Sequence, residues 1–293
     1  MITVLWKVGI LMKLAYYPGC SLEATAKEYD RSVRAVCSAL EVELVEIPDW
    51  TCCGATSAHA TNHRLAVGLP ALTVKQIQQM GLECAVPCSA CFNRLKSAEH
   101  SMINDLSVRE EMEKLLNFKY DAQPRTHDLL AALVEKIGLP AISKKVQKPL
   151  KDLKVACYYG CLSVRPGEIT GIDSVENPMQ MDKLMKALGA TPVQWSYKVD
   201  CCGAGHSVAK SAMVTSLSGK ILAKAREAGA NAVVNSCPLC QTNLEMRRPP
   251  GEDIPVFYFT ELMGLAFGMT EVRDWCSKHL VDSSKLINSV LAG

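Results

Sequence analysis

Two adjacent cysteines followed by glycine occur twice in this chain, in "TCCGATSAH" (51–59) and in "DCCGAGH" (200–206). Neighbouring residues of an extended chain point to opposite faces, so aiming both sulfurs at one site demands a tight turn, for which Gly54 and Gly203 give backbone freedom. The pairs belong to a longer repeat. "KLAYYPGCSL" (13–22) matches "KVACYYGCLS" (154–163), and "AVPCSACFNRL" (85–95) matches "VNSCPLCQTNL" (234–244). A fourth, weaker match joins "RTHDLL" (125–130) to "YFTELM" (258–263) as the same turn into a helix. Cys53 to Cys88 and Cys202 to Cys237 are both 35 residues; Cys20 to Cys52 is 32 and Cys161 to Cys201 is 40. Drift from one duplicated unit accounts for this order and spacing.

The pattern between the motifs alternates helix and strand. "EATAKEYDRSVRAVCSALEV" has helical spacing and leads into the β-branched run "VELVEIP"; "NPMQMDKLMKALGA" and "TPVQW" take the same parts in the second half, with Pro178 suited to a first helical turn. "HRLAVGLPALTVKQIQQMG" and "SVAKSAMVTSLSGKILAKAREAG" read as helices closed by glycine, with a kink or break expected at Pro70, and run into the strands "LECAVPC" and "NAVVNSC". The expected fold class is α/β: two pseudo-symmetric repeats, each a mainly parallel sheet flanked by helices, with the cysteine motifs at strand ends. The expected organisation is a first repeat at 12–142, the lysine-rich, proline-bounded linker "SKKVQKPLKD" at 143–152, a second repeat at 153–270 and a C-terminal helical tail at 271–293. The apolar opening "MITVLWKVGILM" is too short for a membrane span and reads as a tail or an added strand.

Each half offers the same five thiols: Cys20, Cys52, Cys53, Cys88 and Cys91 in one, Cys161, Cys201, Cys202, Cys237 and Cys240 in the other. Soft thiolates select zinc, copper(I) or iron–sulfur clusters. A structural zinc site closes with four ligands, usually two short-spaced pairs, and leaves a fifth cysteine without a role. Adjacent thiolates suit a larger object with several metal atoms, one per half. Of the remaining four cysteines, Cys37 and Cys276 fall on helices as small hydrophobes, and Cys84 and Cys157 read as strand packing. A thioredoxin-like redox pair does not explain two Cys-x-x-Cys elements that each follow a Cys-Cys-Gly.

Composition narrows the classes of function. Fourteen cysteines in 293 residues without a secretion signal argue against a disulfide scaffold and for a metal or redox protein of the cytoplasm. A net charge of +2 leaves no electrostatic footprint for nucleic acid or an anionic membrane, and 48% hydrophobic residues supply ample core. No nucleic-acid partner and no direct membrane insertion are therefore expected.

The order Gly-Cys, Cys-Cys-Gly, Cys-x-x-Cys, twice over from Met12 to about Leu265, resembles the duplicated cysteine-rich domain of the B subunit of heterodisulfide reductase. The resemblance implies one noncubane [4Fe-4S] cluster per five-cysteine set, with a cysteine of the Cys-Cys pair bridging two irons. It implies further that the two clusters face each other and reduce a small-molecule disulfide between them, such as the heterodisulfide of coenzyme M and coenzyme B. The implied partners in the heterodisulfide reductase complex are its ferredoxin-like subunit and its flavin-containing subunit. The chain has no Gly-x-Gly-x-x-Gly fingerprint and no ferredoxin-type cysteine run of its own, which is consistent with electrons arriving from outside. Its opening "YYPGCSLEATAKEYD" is not that of the methanogen enzymes, which leaves the disulfide open. Electron-transfer subunits of the glycolate or glycerol-3-phosphate dehydrogenase type share the domain and form the alternative, with a zinc-binding scaffold behind them.

His206 and His59 are candidate proton donors near the clusters, against the plainer reading of helix-start histidines. Arg94, Arg165, Arg247 and Arg248 lie near cluster motifs and are candidates to hold an anionic substrate, against ordinary surface solvation.

Overall fold

The computed structural model describes residues 12–55, 58–172 and 174–292. The apolar opening before Met12 lies outside the described residues. The first half contributes strands β1 (Met12–Tyr16), β2 (Val42–Glu46), β3 (Cys84–Val86) and β4 (Thr126–Asp128). The second contributes β5 (Lys154–Cys157), β6 (Thr191–Pro192), β7 (Ala232–Asn235) and β8 (Val256–Tyr258). They form two four-stranded sheets of the same order, β2–β1–β3–β4 and β6–β5–β7–β8, parallel throughout. The chain is thus an α/β protein of two like repeats. Parallel strands need helices on both faces, and every residue of β3 and β7 is accordingly buried.

In the first half the helices are α1 (Gly19–Ala24), α2 (Lys27–Ala39), α3 (Ala58–Thr61), α4 (His63–Met80), α5 (Ser89–Asn104), α6 (Leu106–Leu116) and α7 (Leu129–Ala132). A π-helical turn, Leu133–Gly138, carries α7 into α8 (Leu139–Lys144). The second half has α9 (Gly167–Thr170), α10 (Gln180–Ala187), α11 (Ser211–Glu227), α12 (Pro238–Met246) and α13 (Phe259–Ala266), followed by α14 (Val272–Cys276) and α15 (Ser284–Ala292).

The two repeats share one interior. On α2, Tyr29, Ser32, Val33, Val36 and Cys37 form a buried stripe at helical spacing. That stripe faces α13 of the other half, where the Ser32 and Thr260 hydroxyls lie 2.6 Å apart. A fully buried valine or leucine in such a stripe contributes roughly 1.5–3 kcal/mol relative to exposure. Tyr29, Val33, Leu262 and Phe259 therefore belong to one core that crosses the boundary between the repeats.

Several local expectations are corrected. The helical stretch after Cys20 is divided into α1 and α2 at Thr25–Ala26. Helix α4 runs unbroken through Pro70, since Val67, Ala71, Val74 and Ile77 are buried along it and this packing outweighs the hydrogen bond the proline removes. Pro178 precedes α10 by two residues and does not occupy its first turn. Helix α11 begins at Ser211, after the turn that holds His206, and "TPVQW" supplies a strand of only two residues. The match of "RTHDLL" to "YFTELM" is three residues out of register: Val86 pairs with Asp128, and the equivalent Asn235 pairs with Tyr258. Both segments are strands that turn directly into helices.

Residues 143–152 are docked along the second half. Ser143 and Lys144 finish α8, the Gln147 and Lys148 amides both donate to Ala266 O, and Leu150 is fully buried with its amide donating to Leu188 O.

Candidate metal centres

Each cysteine motif emerges where a strand ends. After β1 the chain passes Tyr17 and reaches Cys20 on α1; after β2 it makes the Cys52–Cys53 turn; after β3, Cys88 stands at the N-terminus of α5 with Cys91 in its first turn. The second half repeats this with Cys161 after β5, Cys201 and Cys202 after β6, and Cys237 and Cys240 around the start of α12. Parallel strands end at one edge of their sheet, so residues far apart in sequence converge there.

The Cys-Cys-Gly turn is built alike in both halves. Gly54 and Gly203 have φ of +73° and +79°, in the left-handed region where a side chain is strained. Their amides point back at the first sulfur of each pair, Gly54 N 3.5 Å from Cys52 Sγ and Gly203 N 3.3 Å from Cys201 Sγ. The second sulfur of each pair turns inward, with Cys53 Sγ 3.4 Å from Cys91 Sγ and Cys202 Sγ 3.6 Å from Cys240 Sγ. Tyr17 and Tyr158 fix these turns, their hydroxyls donating to Thr51 O and Asp200 O, each at 2.6 Å. Both tyrosines stand directly after the repeated strand, so comparison of the halves finds them once a role for the ring is known.

Burial divides each set in the same way. Cys53, Cys88 and Cys91 are buried, as are Cys202, Cys237 and Cys240, whereas Cys20, Cys52 and Cys201 are exposed and Cys161 is partly so. The thiols share protons accordingly. Cys53 is drawn down to about 4 by hydrogen bonds from Cys52 and Cys91, with Arg94 assisting, and Cys201 to about 6 by a hydrogen bond from Cys161. Cys202 is lowered by Cys240, and Cys52, Cys161 and Cys240 are raised in return. Thiolate is the form that binds metal.

The two sets meet. Cys237 is held well below the ordinary thiol range by Cys240 and by Cys88, which is raised by Cys237 in turn. Beside this contact the Tyr29 hydroxyl lies 3.2 Å from Pro87 O and 3.1 Å from Ser236 O, the residues immediately before Cys88 and Cys237. Asn93 of α5 also crosses over, donating to Leu162 O and Arg165 O around Cys161.

The donor sets can be tested against what they would hold. Four thiolates around one zinc, at a Zn–S distance of about 2.3 Å, stand about 3.8 Å from one another. Among the described residues, the group with three ligand atoms mutually within 4.8 Å is Glu261, Cys276 and His279; neither cysteine set meets that spacing. A Cβ on Gly19 would lie 3.0 Å from Cys91 Sγ, and one on Gly160 3.1 Å from Cys240 Sγ, so both sites keep space that any other residue would fill. Five soft sulfur donors in each half, kept clear of other side chains, have the chemistry of an iron–sulfur site.

A cavity of about 250 Å³ opens onto the second set. Cys161, Cys201, Cys202, Cys237 and Cys240 line it, and the first half contributes His59 and Ser89 to the same wall. The buried Ser89 hydroxyl has no hydrogen-bond partner there. His206, in the short 3₁₀ turn Ala204–His206, also faces the cavity, so the two candidate proton donors come from opposite halves to one space. Of the arginines, Arg94 is half-buried beside Cys53, with its own proton loosened by burial. Asn243 stands at the equivalent place in the second repeat and donates to Cys202 O and Cys202 Sγ. Arg165 pairs with Glu176, Arg247 donates to Ser207 O, and Arg248 donates to Glu252 O and Ile254 O. These three hold their own loops together.

The cysteine-rich domain known as CCG matches this chain twice, over residues 14–96 and 155–245. The chain belongs to the CCG cysteine-rich domain family. Among CCG proteins it is similar to the 8-methylmenaquinol:fumarate reductase membrane anchor subunit of Wolinella succinogenes, at 32% identity over 94% of this chain and 99% of that one. It is also similar to the B subunit of the Ferredoxin/F(420)H(2)-dependent CoB-CoM heterodisulfide reductase of Methanosarcina acetivorans, at 27% identity over 89% of this chain and 91% of that one. A protein of Archaeoglobus profundus, itself described as like the B subunit of heterodisulfide reductase, is 22% identical over 88% and 91%. In fold it resembles a hypothetical protein from Helicobacter pylori, with a TM-score of 0.70 at 8% identity; the likeness covers 92% of this CCG chain and 51% of that one. No helix among the described residues is long and apolar enough to cross a membrane.

Proposed function

We propose that this CCG protein is the iron–sulfur redox subunit of a multisubunit reductase of the heterodisulfide reductase type, with repeats at 12–142 and 153–270. In this reading Cys20, Cys52, Cys53, Cys88 and Cys91 hold one noncubane [4Fe-4S] cluster, and Cys161, Cys201, Cys202, Cys237 and Cys240 hold the other. The observation that carries it is the Tyr29 hydroxyl, 3.2 Å from Pro87 O and 3.1 Å from Ser236 O, which makes the segments leading into Cys88 and Cys237 neighbours across one boundary. Iron–sulfur groups supply electrons one at a time, and two together supply the pair that opening a disulfide consumes.

The protein's own residues do the rest. The cavity lined by the five cysteines of the second set would hold that cluster, and a small disulfide would meet it on the side walled by Ser89, His59 and His206. Its reduction takes two electrons and two protons and leaves two thiols, and His59 and His206 face the space in which those protons are needed. Arg94 supplies positive charge beside Cys53. Electrons come from partners, for which a ferredoxin-like subunit and a flavin-containing subunit of the same complex are the proposed pair.

A second reading has a specific observation behind it. The Wolinella relative, an anchor subunit of a quinol:fumarate reductase, is 32% identical, against 22–27% for the heterodisulfide reductase relatives cited. Under that reading the same centres relay electrons within a quinol-linked complex and no disulfide is turned over. Anaerobic protein reduced by an artificial donor separates the two. Consumption of a small disulfide, with two thiols formed per two electrons, supports the first; inertness to disulfides with rapid exchange to a menaquinone analogue supports the second. Roughly two zincs per chain without iron or sulfide would dismiss both.

A further inference from the structure

Outside the cysteine sets, one cluster of ligand atoms has no part in the reading above. Glu261 on α13, Cys276 at the end of α14 and His279 in the loop after it bring a carboxylate oxygen, a sulfur and an imidazole nitrogen within 4.8 Å of one another. We propose that these three side chains bind a single zinc-like divalent cation, at a site separate from the two cysteine sets.

The geometry favours ligation over a plain ion pair. His279 Nε2 lies 3.1 Å from Glu261 Oε1, yet the two atoms meet no hydrogen-bond geometry with each other or with any other group. The Glu261 side chain is fully buried and that of His279 is 4% exposed, so these are enclosed polar atoms aimed at one point. About 3.3 Å is the separation of nitrogen and oxygen ligands on one tetrahedral zinc, given bond lengths near 2.0 Å.

The surroundings match the requirements of a metal site. Glu261 Oε2 accepts from the Tyr258 amide at 2.9 Å, which orients the carboxylate and leaves Oε1 for the ion. The His279 ring is packed by Phe257 and Tyr258. Besides Glu261, the carboxylates of Glu245 and Glu28 act on His279, giving the pocket a negative field. A cavity of about 170 Å³ lined by Cys276, Ser283 and Asp282 reaches the sulfur side of the cluster. Imidazole, thiolate and carboxylate together suit zinc, with the fourth position open to water. Such a site ties α14 and the loop after it to α13, and so secures the C-terminal segment against the second repeat.

The test uses the full-length chain, purified anaerobically with its iron–sulfur centres intact and supplied with zinc alone. After dialysis about one zinc per chain is expected to remain, falling at least tenfold in Cys276→Ser and in His279→Gln while iron content is unchanged. Diffraction from unsubstituted crystals on either side of the zinc edge gives an independent answer if a variant misfolds, with anomalous density expected between the three side chains. No density there, density at the cysteine sets alone, or equal zinc retention in folded variants leaves an ion pair only and overturns the proposal.

Discussion

Tyr29 lies flat against Tyr258, with ring centroids 3.9 Å apart and planes 2° from parallel. One ring comes from α2 of the first repeat and the other from the end of β8 in the second, so the stack spans the boundary on which the two cysteine sets meet. The Tyr29 hydroxyl is shared by the carbonyls that precede Cys88 and Cys237. Tyr29→Phe keeps the stack and removes the donor. A loss of about 1–2 kcal/mol in urea unfolding is expected, together with a changed electron paramagnetic resonance signal of the reduced protein. An unaltered spectrum and midpoint would assign Tyr29 to packing alone.

Gly203→Ala should damage one centre and spare the other. Its Cβ would stand 3.1 Å from both Leu217 Cδ1 and Val214 Cγ2 at a φ of +79°, so the Cys201–Cys202 turn must open. The backbone strain alone costs about 1–2 kcal/mol. Iron per chain is expected to fall to about half. The same result is expected for Gly54→Ala, where the Cβ would meet Ala58 Cβ at 2.8 Å. Full iron content in both variants would contradict the assignment of the turns.

Lys198 and Asp182 form a buried pair, Nζ to Oδ1 2.9 Å, both side chains at most 3% exposed. Tyr159 donates to Asp182 Oδ2, and the Tyr159 and Gly160 amides donate to Lys198 O, so the pair anchors the approach to Cys161. Lys198→Met strands a buried carboxylate and should cost about 3–5 kcal/mol. Adding Asp182→Leu should recover much of that loss. Thermal unfolding of the single and double variants checks it; a double variant as weak as the single would show that the pair matters for its shape and not its charge.

Asp128 gives a pH dependence of definite sign. Burial pushes its carboxyl up to about 7, although Oδ1 accepts from the Leu130 and Ala131 amides, while Oδ2 is buried without a partner. An unfolded aspartate titrates near 3.9, so the native state holds this proton more tightly. Its contribution to stability is complete below about pH 4 and is lost as pH rises through about 7. Asp128→Asn keeps the helix cap and removes the dependence. Equal stability to the parent at pH 4 and a gain of roughly 4 kcal/mol at pH 8 are expected from denaturant titrations. A parallel pH profile for the two proteins would refute this.

Much of the site was legible before any coordinates because the duplication printed it twice. Cys20 and Cys161, the two Cys-Cys-Gly turns and the two Cys-x-x-Cys elements each stand after a strand, and parallel strands bring their ends to one edge. Cys37, Cys84 and Cys157 are fully buried, as small hydrophobes of helix and strand. Cys276 is buried too, yet its neighbours are Glu261 and His279, which a helical stripe does not reveal. A break at Pro70 is absent because of the packing along α4, which local propensity ignores. Residues 143–152 read as the linker between the halves from their lysines and prolines, and how Leu150 within them is buried was not legible there.

The sequence alone determined the twofold repeat and the parallel α/β architecture, since strand periodicity and motif order are local properties. Tertiary structure decided what lies next to what across the boundary: Tyr29 reaching the carbonyls that precede Cys88 and Cys237, His59 and His206 on one cavity, and Glu261 beside Cys276 and His279. These depend on how helix α2 of one repeat packs against α13 of the other, and such packing is set by shape and burial over the whole interior, which no short stretch of chain encodes.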